Sequence, residues 1–152
     1  MNINEFKQLS ENEANQLLKA PALITVLIAT ADGKIEAEET EWATKVVGYR
    51  DHVGDEDLFS YYTALEDDFA AQVKALVAEE HIGNQERIAS ISSELEALGP
   101  ILHKINKHYA EKVVASWKSF AKSIAKSSGG ILGFGSISDQ EELLMDLHMI
   151  KF

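Results

Sequence analysis

The chain has 152 residues, 45% of them hydrophobic and 26% charged, with no cysteine and a formal net charge of −11 at pH 7. That is enough chain for one domain with a substantial apolar interior, and the lack of cysteine removes disulfides, thiolate metal sites and cysteine nucleophiles together. The charge is uneven, −13 over the first 100 residues and +2 over the rest, so most of the surface repels nucleic acid phosphates and suits cations or a basic partner surface.

The opening "MNINEFKQLSENE" is polar and lacks the charged and apolar regions of a secretory signal. The longest apolar run, "APALITVLIATA", is shorter than the ~20 residues a membrane span needs, so a cytoplasmic protein without an integral membrane segment is expected. "SENE" at Ser10–Glu13 reads as a capping box opening a short helix to about Lys19, in an N-terminal segment 1–20 ahead of a core 21–152. Pro21 suits the first turn of a second helix over 21–31, which is apolar nearly all round and therefore central.

After the Asp32-Gly33 turn, a helix from about 37 to 50 places Trp42, Val46 and Val47 on one side. Leu58, Tyr62, Leu65, Phe69, Val73 and Leu76 then repeat at three-to-four spacing, the pattern of an amphipathic helix. "HIGN" breaks it. Ile88, Ile91, Leu95 and Leu98 stripe the next helix, "LGP" at 98–100 stops it, and a long helix over about 101–127 follows. "SSGGILGFGS" ends that one, and a last helix is expected over about 139–150. No strand pattern competes, so the chain reads as a single all-α bundle of about seven helices.

Any chemistry lies in "DGKIEAEE". With Gly33 at the glycine position of an EF-hand loop, Asp32 precedes it, Ile35 follows two later and Glu39 takes the terminal Glu. Ile28 and Thr30 occupy the first two ligand positions, so a conventional EF-hand is excluded. A second copy, "GSISDQEE" at Gly135–Glu142, overlays "GKIEAEET" at Gly33–Thr40, which implies a duplicated helix–turn–helix unit with long helices inserted between the copies. Two readings stay open. In one, Asp32, Glu36 and Glu39, with Asp139 and Glu141 of the second copy, offer oxygen ligands to a hard divalent cation such as Ca²⁺ or Mg²⁺. In the other, the glycine turns end one helix while the acids cap the next, as helix dipoles favour without any ion.

These two acidic turns, together with the "GGILGFG" lead-in, resemble the TerB-like tellurite-resistance family from about Pro21 to the end of the chain. The resemblance implies a bacterial, non-enzymatic stress-response protein: an all-helical bundle of about seven helices whose acidic turns approach one another and bind divalent cations, acting through protein partners. By resemblance Asp32 and Glu39 take the first acidic positions and Glu141 the Glu of the second. The second copy departs from the pattern, having Gly135-Ser136 where Asp-Gly is expected. Ile35 and Ile137, at equivalent positions, should both point into the core. The alternative is a purely structural protein–protein interaction module whose acidic turns only cap helices.

Other features are weaker. The glycines of "GGILGFG" follow a helix and precede no Lys-Ser/Thr pair, so a phosphate cradle is rejected. The histidines at 52, 81, 103, 108 and 148 form no i,i+4 metal pair. Lys118, Lys122 and Lys126 make a basic stripe that reads as a solvated face, and Tyr61, Tyr62 and Phe69 read as core rather than interaction surface.

Overall fold

The computed structural model describes residues 3–31, 33, 37–78, 83–127 and 144–152, with residue 38 for its backbone only. Among the described residues every regular element is helical. There are five long helices, α1 (Glu11–Ala31), α2 (Ala37–Arg50), α3 (Phe59–Val77), α4 (Asn84–Glu96) and α6 (Lys107–Ser127), and a one-turn helix, α5 (Leu98–Leu102). The all-helical expectation therefore holds. The count of seven and the duplicated unit do not emerge from the described residues, and three local differences explain the count.

The first is that the two expected N-terminal helices are one. α1 starts at the capping box read from the sequence: Glu13 N–H donates to Ser10 Oγ at 3.1 Å, and Ser10 N–H donates to Glu13 Oε1 at 3.0 Å. It then runs straight through Pro21. A proline inside a helix has no N–H for the carbonyl four residues back, a loss of ~3 kcal/mol or more in an isolated helix. That carbonyl belongs to Leu17, and here the Tyr61 hydroxyl of α3 donates to it at 2.7 Å. Trp117 Nε1 of α6 in turn donates to the Tyr61 oxygen at 2.9 Å. Leu17, Tyr61 and Trp117 are all wholly buried, so the defect in α1 becomes a hydrogen-bonded junction of three helices.

The second difference is the expected helix over 101–127, which is two. The chain leaves α5 at His103, and Asn106 restarts it by accepting the Tyr109 N–H on its side-chain oxygen at 3.0 Å. The third is the last expected helix, over 139–150. Its first residues lie outside the described ones, and residues 146–149 form turns in which Leu147 takes the left-handed φ of +50°. Leu144, Met145, Leu147, Met149 and Ile150 are nonetheless buried. This segment crosses α5 so closely that a Cβ on Gly99 would collide with the Lys151 carbonyl oxygen.

α1 lies at the centre, against α3, α4 and α6, and everything from Ala20 to Thr30 is buried. It is long and apolar enough to cross a membrane, yet 72% of its most apolar stretch is enclosed by the other helices. Around it Tyr61, Tyr62, Phe69, Trp117 and Phe120 fill the interior, which bears out the core reading of the tyrosines. Their rings meet edge to face, Tyr61–Tyr62 at 5.1 Å and Phe69–Phe120 at 6.2 Å between centroids, the arrangement ring quadrupoles favour. Lys118, Lys122 and Lys126 are exposed on α6, as a solvated stripe should be.

Tyr61→Phe keeps the ring but strips both the Leu17 carbonyl and the Trp117 N–H of their partner. It should destabilise the fold by about 1–3 kcal/mol in urea unfolding. Pro21→Ala in that background restores the missing backbone N–H and should recover part of the loss. A double mutant no more stable than Tyr61→Phe alone would show that the hydroxyl does not serve the proline defect.

Candidate functional site

The acidic turns come first, because the sequence points to them. Asp32, Glu36, Asp139 and Glu141 lie outside the described residues, as do Ile35, Ile137 and the "GGILGFG" segment. Gly33 is described: its φ of +90° is the left-handed value that favours glycine. Its N–H donates to the Thr30 carbonyl at 2.9 Å, and its own carbonyl accepts from Asn84 Nδ2 at 3.2 Å, tying the turn to the start of α4. Glu39 sits in the first turn of α2 with no exposed surface, where the helix N-terminus favours a negative charge. Among the described residues no three His, Asp or Glu side chains converge as metal ligands would. His148 is exposed.

The best-formed concavity is elsewhere. A groove of about 580 Å³ opens between α2 and α6, floored by α3 and the turn before it. Such a volume is in the range of ligand and peptide sites. Its walls are mostly carbon, from Trp42, Val46, Tyr49 and Val53 on one side and Leu58 and Tyr62 below. α2 supplies them because it carries two apolar stripes. Ala43 and Val47 turn inward and are buried, whereas Trp42, Val46 and Tyr49 follow one another at helical spacing along a neighbouring face, and Val53 continues the line from the turn just past α2. The expectation that Trp42, Val46 and Val47 lie on one side is thereby refined: Val47 faces the core, Trp42 lines the groove, and the partly buried Val46 stands between them. Trp42, Tyr49 and Val53 remain 43%, 58% and 39% exposed, three of the four large apolar residues exposed among the described ones.

Arg50, the last residue of α2, forms part of the floor. Its guanidinium lies over the rings of Tyr62 and Phe120, 5.5 and 5.6 Å from their centroids, within cation–π range. Nη1 donates to Tyr62 Oη at 3.0 Å and to the Ser116 carbonyl at 2.8 Å, and Nη2 donates to Ser119 Oγ at 3.1 Å. The Tyr62 hydroxyl also meets Ser116 Oγ at 2.7 Å. At the far end Trp42 Nε1 donates to Ser123 Oγ at 2.9 Å, so one row of serines on α6 receives both α2 anchors. The signal for this site was present in the sequence, as the Trp42, Val46, Tyr49, Val53 spacing beyond the stripe needed for the core.

Asp55, the one carboxylate lining the groove among the described residues, is already engaged. It accepts the Asp57 N–H at 3.0 Å and pairs with Lys112 Nζ at 3.1 Å. Those contacts hold its carboxyl below the usual range, the backbone hydrogen bond contributing most and Lys112 next. Just past Arg50, the carboxyl of Asp51 meets His52 Nδ1 at 2.5 Å and also the carboxyl of Glu66 on α3. The His52 contact does most to lower Asp51, and the hydrogen bond to Asp51 does most to raise Glu66.

The chain matches no protein-family model, no curated protein and no solved structure. The site is therefore read from its own geometry.

The Asp51–Glu66 contact sets a pH dependence whose sign follows from the raised Glu66. A carboxyl held above its unfolded value detracts from stability once pH exceeds that value, and the deficit vanishes on acidification. Glu66→Gln keeps a group able to donate to Asp51 without the repulsion. Its melting temperature should exceed that of the parent at pH 7, and the two should converge below about pH 4, where Glu66 is protonated in folded and unfolded chains alike. A difference that persists at low pH would assign the effect to packing instead.

Proposed function

We propose that this chain is a non-enzymatic helical interaction module, of the stress-response type that its TerB-like turns resemble, and that it engages another protein through the α2–α6 groove. One observation carries the reading: Trp42, Tyr49 and Val53, exposed together, border a single groove with an arginine in its floor. Tryptophan, tyrosine and arginine are the residues on which protein interfaces concentrate their binding energy. Clustered exposed apolar groups on a strongly charged chain mark a contact surface more often than chance scatter does. Fully burying each large side chain on docking would contribute about 1.5–3 kcal/mol before the entropy of association is subtracted.

A photo-crosslinking residue at position 49 should give discrete adducts in cells, while the same residue at position 118, on the exposed lysine stripe, should not. Trp42→Ala should weaken the adducts from position 49. Equal labelling from both positions would overturn the proposal.

The Gly33 turn supports a second reading, in which a divalent cation joins the acidic turn to the start of α2. It is favoured by the left-handed Gly33 and by Glu39, whose carboxylate is fixed inside the same helix start. On this reading Asp32, Glu36 and Glu39 of the first turn, with Asp139 and Glu141 of the second, would supply the oxygens. Calorimetric titration with Ca²⁺ or Mg²⁺ should then give heat and a rise in melting temperature, both removed by Asp32→Ala. Absence of heat and of any thermal shift would retire it and leave the turns as helix caps.

A further inference from the structure

We infer that the partner presents to the α2–α6 groove an amphipathic helix carrying a carboxylate among its apolar residues, and that Arg50 is the anchor for that carboxylate. This rests on the docking reading above and adds the chemistry of what docks.

The first argument is charge complementarity. The chain carries −11 overall, yet the groove is lined by Lys45 and Arg50 against one acid, Asp55, whose carboxylate is held by Lys112. Among the described residues no carboxylate lies within ion-pair distance of Arg50, although the chain holds 25 of them. The groove is thus a cationic spot in an acidic surface, and potentials of that kind select an oppositely charged partner.

The second argument is the state of the guanidinium. Of its five N–H hydrogens, three go to the neutral oxygens of Tyr62, Ser116 and Ser119. These contacts and the two aromatic faces fix its position but do not cancel its charge. Two N–H groups are left without a partner among the described residues, and an arginine so held loses little freedom on binding a planar carboxylate.

The third argument concerns shape. Along α2, Trp42 to Tyr49 spans about 10 Å at ~1.5 Å per residue, two turns of an opposing helix. Apolar groups there at i, i+4 and i+7 would lie along Trp42, Val46 and Tyr49 in turn, the helix-in-groove mode of recognition.

Fluorescence anisotropy with three labelled helical peptides tests this. Each has leucines at i, i+4 and i+7, and they differ only in Glu, Gln or Lys at i+3. The Glu peptide should bind the native chain about tenfold more tightly than the Lys peptide at low salt, with the gap narrowing as salt is added. Arg50→Gln should bring the three within about twofold. Ser119→Asp retains the arginine but sets a carboxylate beside Nη2, so it should abolish the Glu preference even if Arg50→Gln folds poorly. Trp42→Ala should weaken all three. Equal binding of the three peptides, each dependent on Trp42, would sink the carboxylate inference and leave the docking groove standing. No Trp42-dependent binding of any peptide would sink the docking reading itself. Decanoate binding that needs Arg50, in the absence of peptide binding, would replace the helix with a small amphiphile and overturn the inference.

Discussion

The structure turns on one backbone carbonyl. Pro21, in the middle of the central helix, cannot donate to Leu17, and a carbonyl left bare in a dry interior costs about as much as a lost hydrogen bond. The Tyr61 hydroxyl reaches it and accepts from Trp117 at the same time, so α3 and α6 are pinned to α1 at a single height. Hydrophobic burial alone is tolerant of sliding, whereas a buried polar junction is satisfied in one register only. Burial pushes the Tyr61 hydroxyl well above its usual titration range, so the hydrogen it gives to Leu17 is held more firmly than on an exposed tyrosine.

The groove inherits its geometry from that junction. Tyr62 and Ser116, which hold the Arg50 guanidinium, are the sequence neighbours of Tyr61 and Trp117. At each position one residue faces the central helix and the next faces the groove. α2 can settle on this floor because its inner stripe is small: Ala43 is fully buried, and Gly48 sits where an added Cβ would press against Glu66 Oε1 at 3.3 Å. With the inner face thin, the larger residues Trp42, Val46 and Tyr49 stand along the groove instead of filling the core.

Much of this is legible in the residues. The Ser10–Glu13 capping box, the buried 21–31 stretch and the inward tyrosines follow directly from side-chain type and helical spacing. The merger of the first two helices does not, because Pro21 reads equally as a first-turn residue, and only the Tyr61 hydroxyl, 44 positions after Leu17, decides otherwise. The break before α6 is carried by Asn106, a cap residue set between Ile105 and Tyr109, whose spacing continues the same periodicity. The groove is harder still. Trp42 and Val46 fit a core stripe as well as they fit a groove wall, and their role depends on how close α6 comes. As for the acidic turns, the sequence names five carboxylates, and the described residues fix the position of one, Glu39, inside the protein.

The pairing choices made around the end of α2 argue that the charge on Arg50 is not needed for packing. Asp51 follows it directly and Glu66 lies one helical turn beyond Tyr62, so two acids stand close in the chain to the residues that hold the arginine. Either would relieve an isolated cation. Instead they meet each other and His52, and the hydrogen bond to Asp51, more than their mutual repulsion, raises Glu66. Arg50 is meanwhile braced by a phenol, a serine and a carbonyl, which orient it without neutralising it. The arrangement makes physical sense if the missing counter-charge arrives from outside, on a surface that also covers the exposed tryptophan and tyrosine.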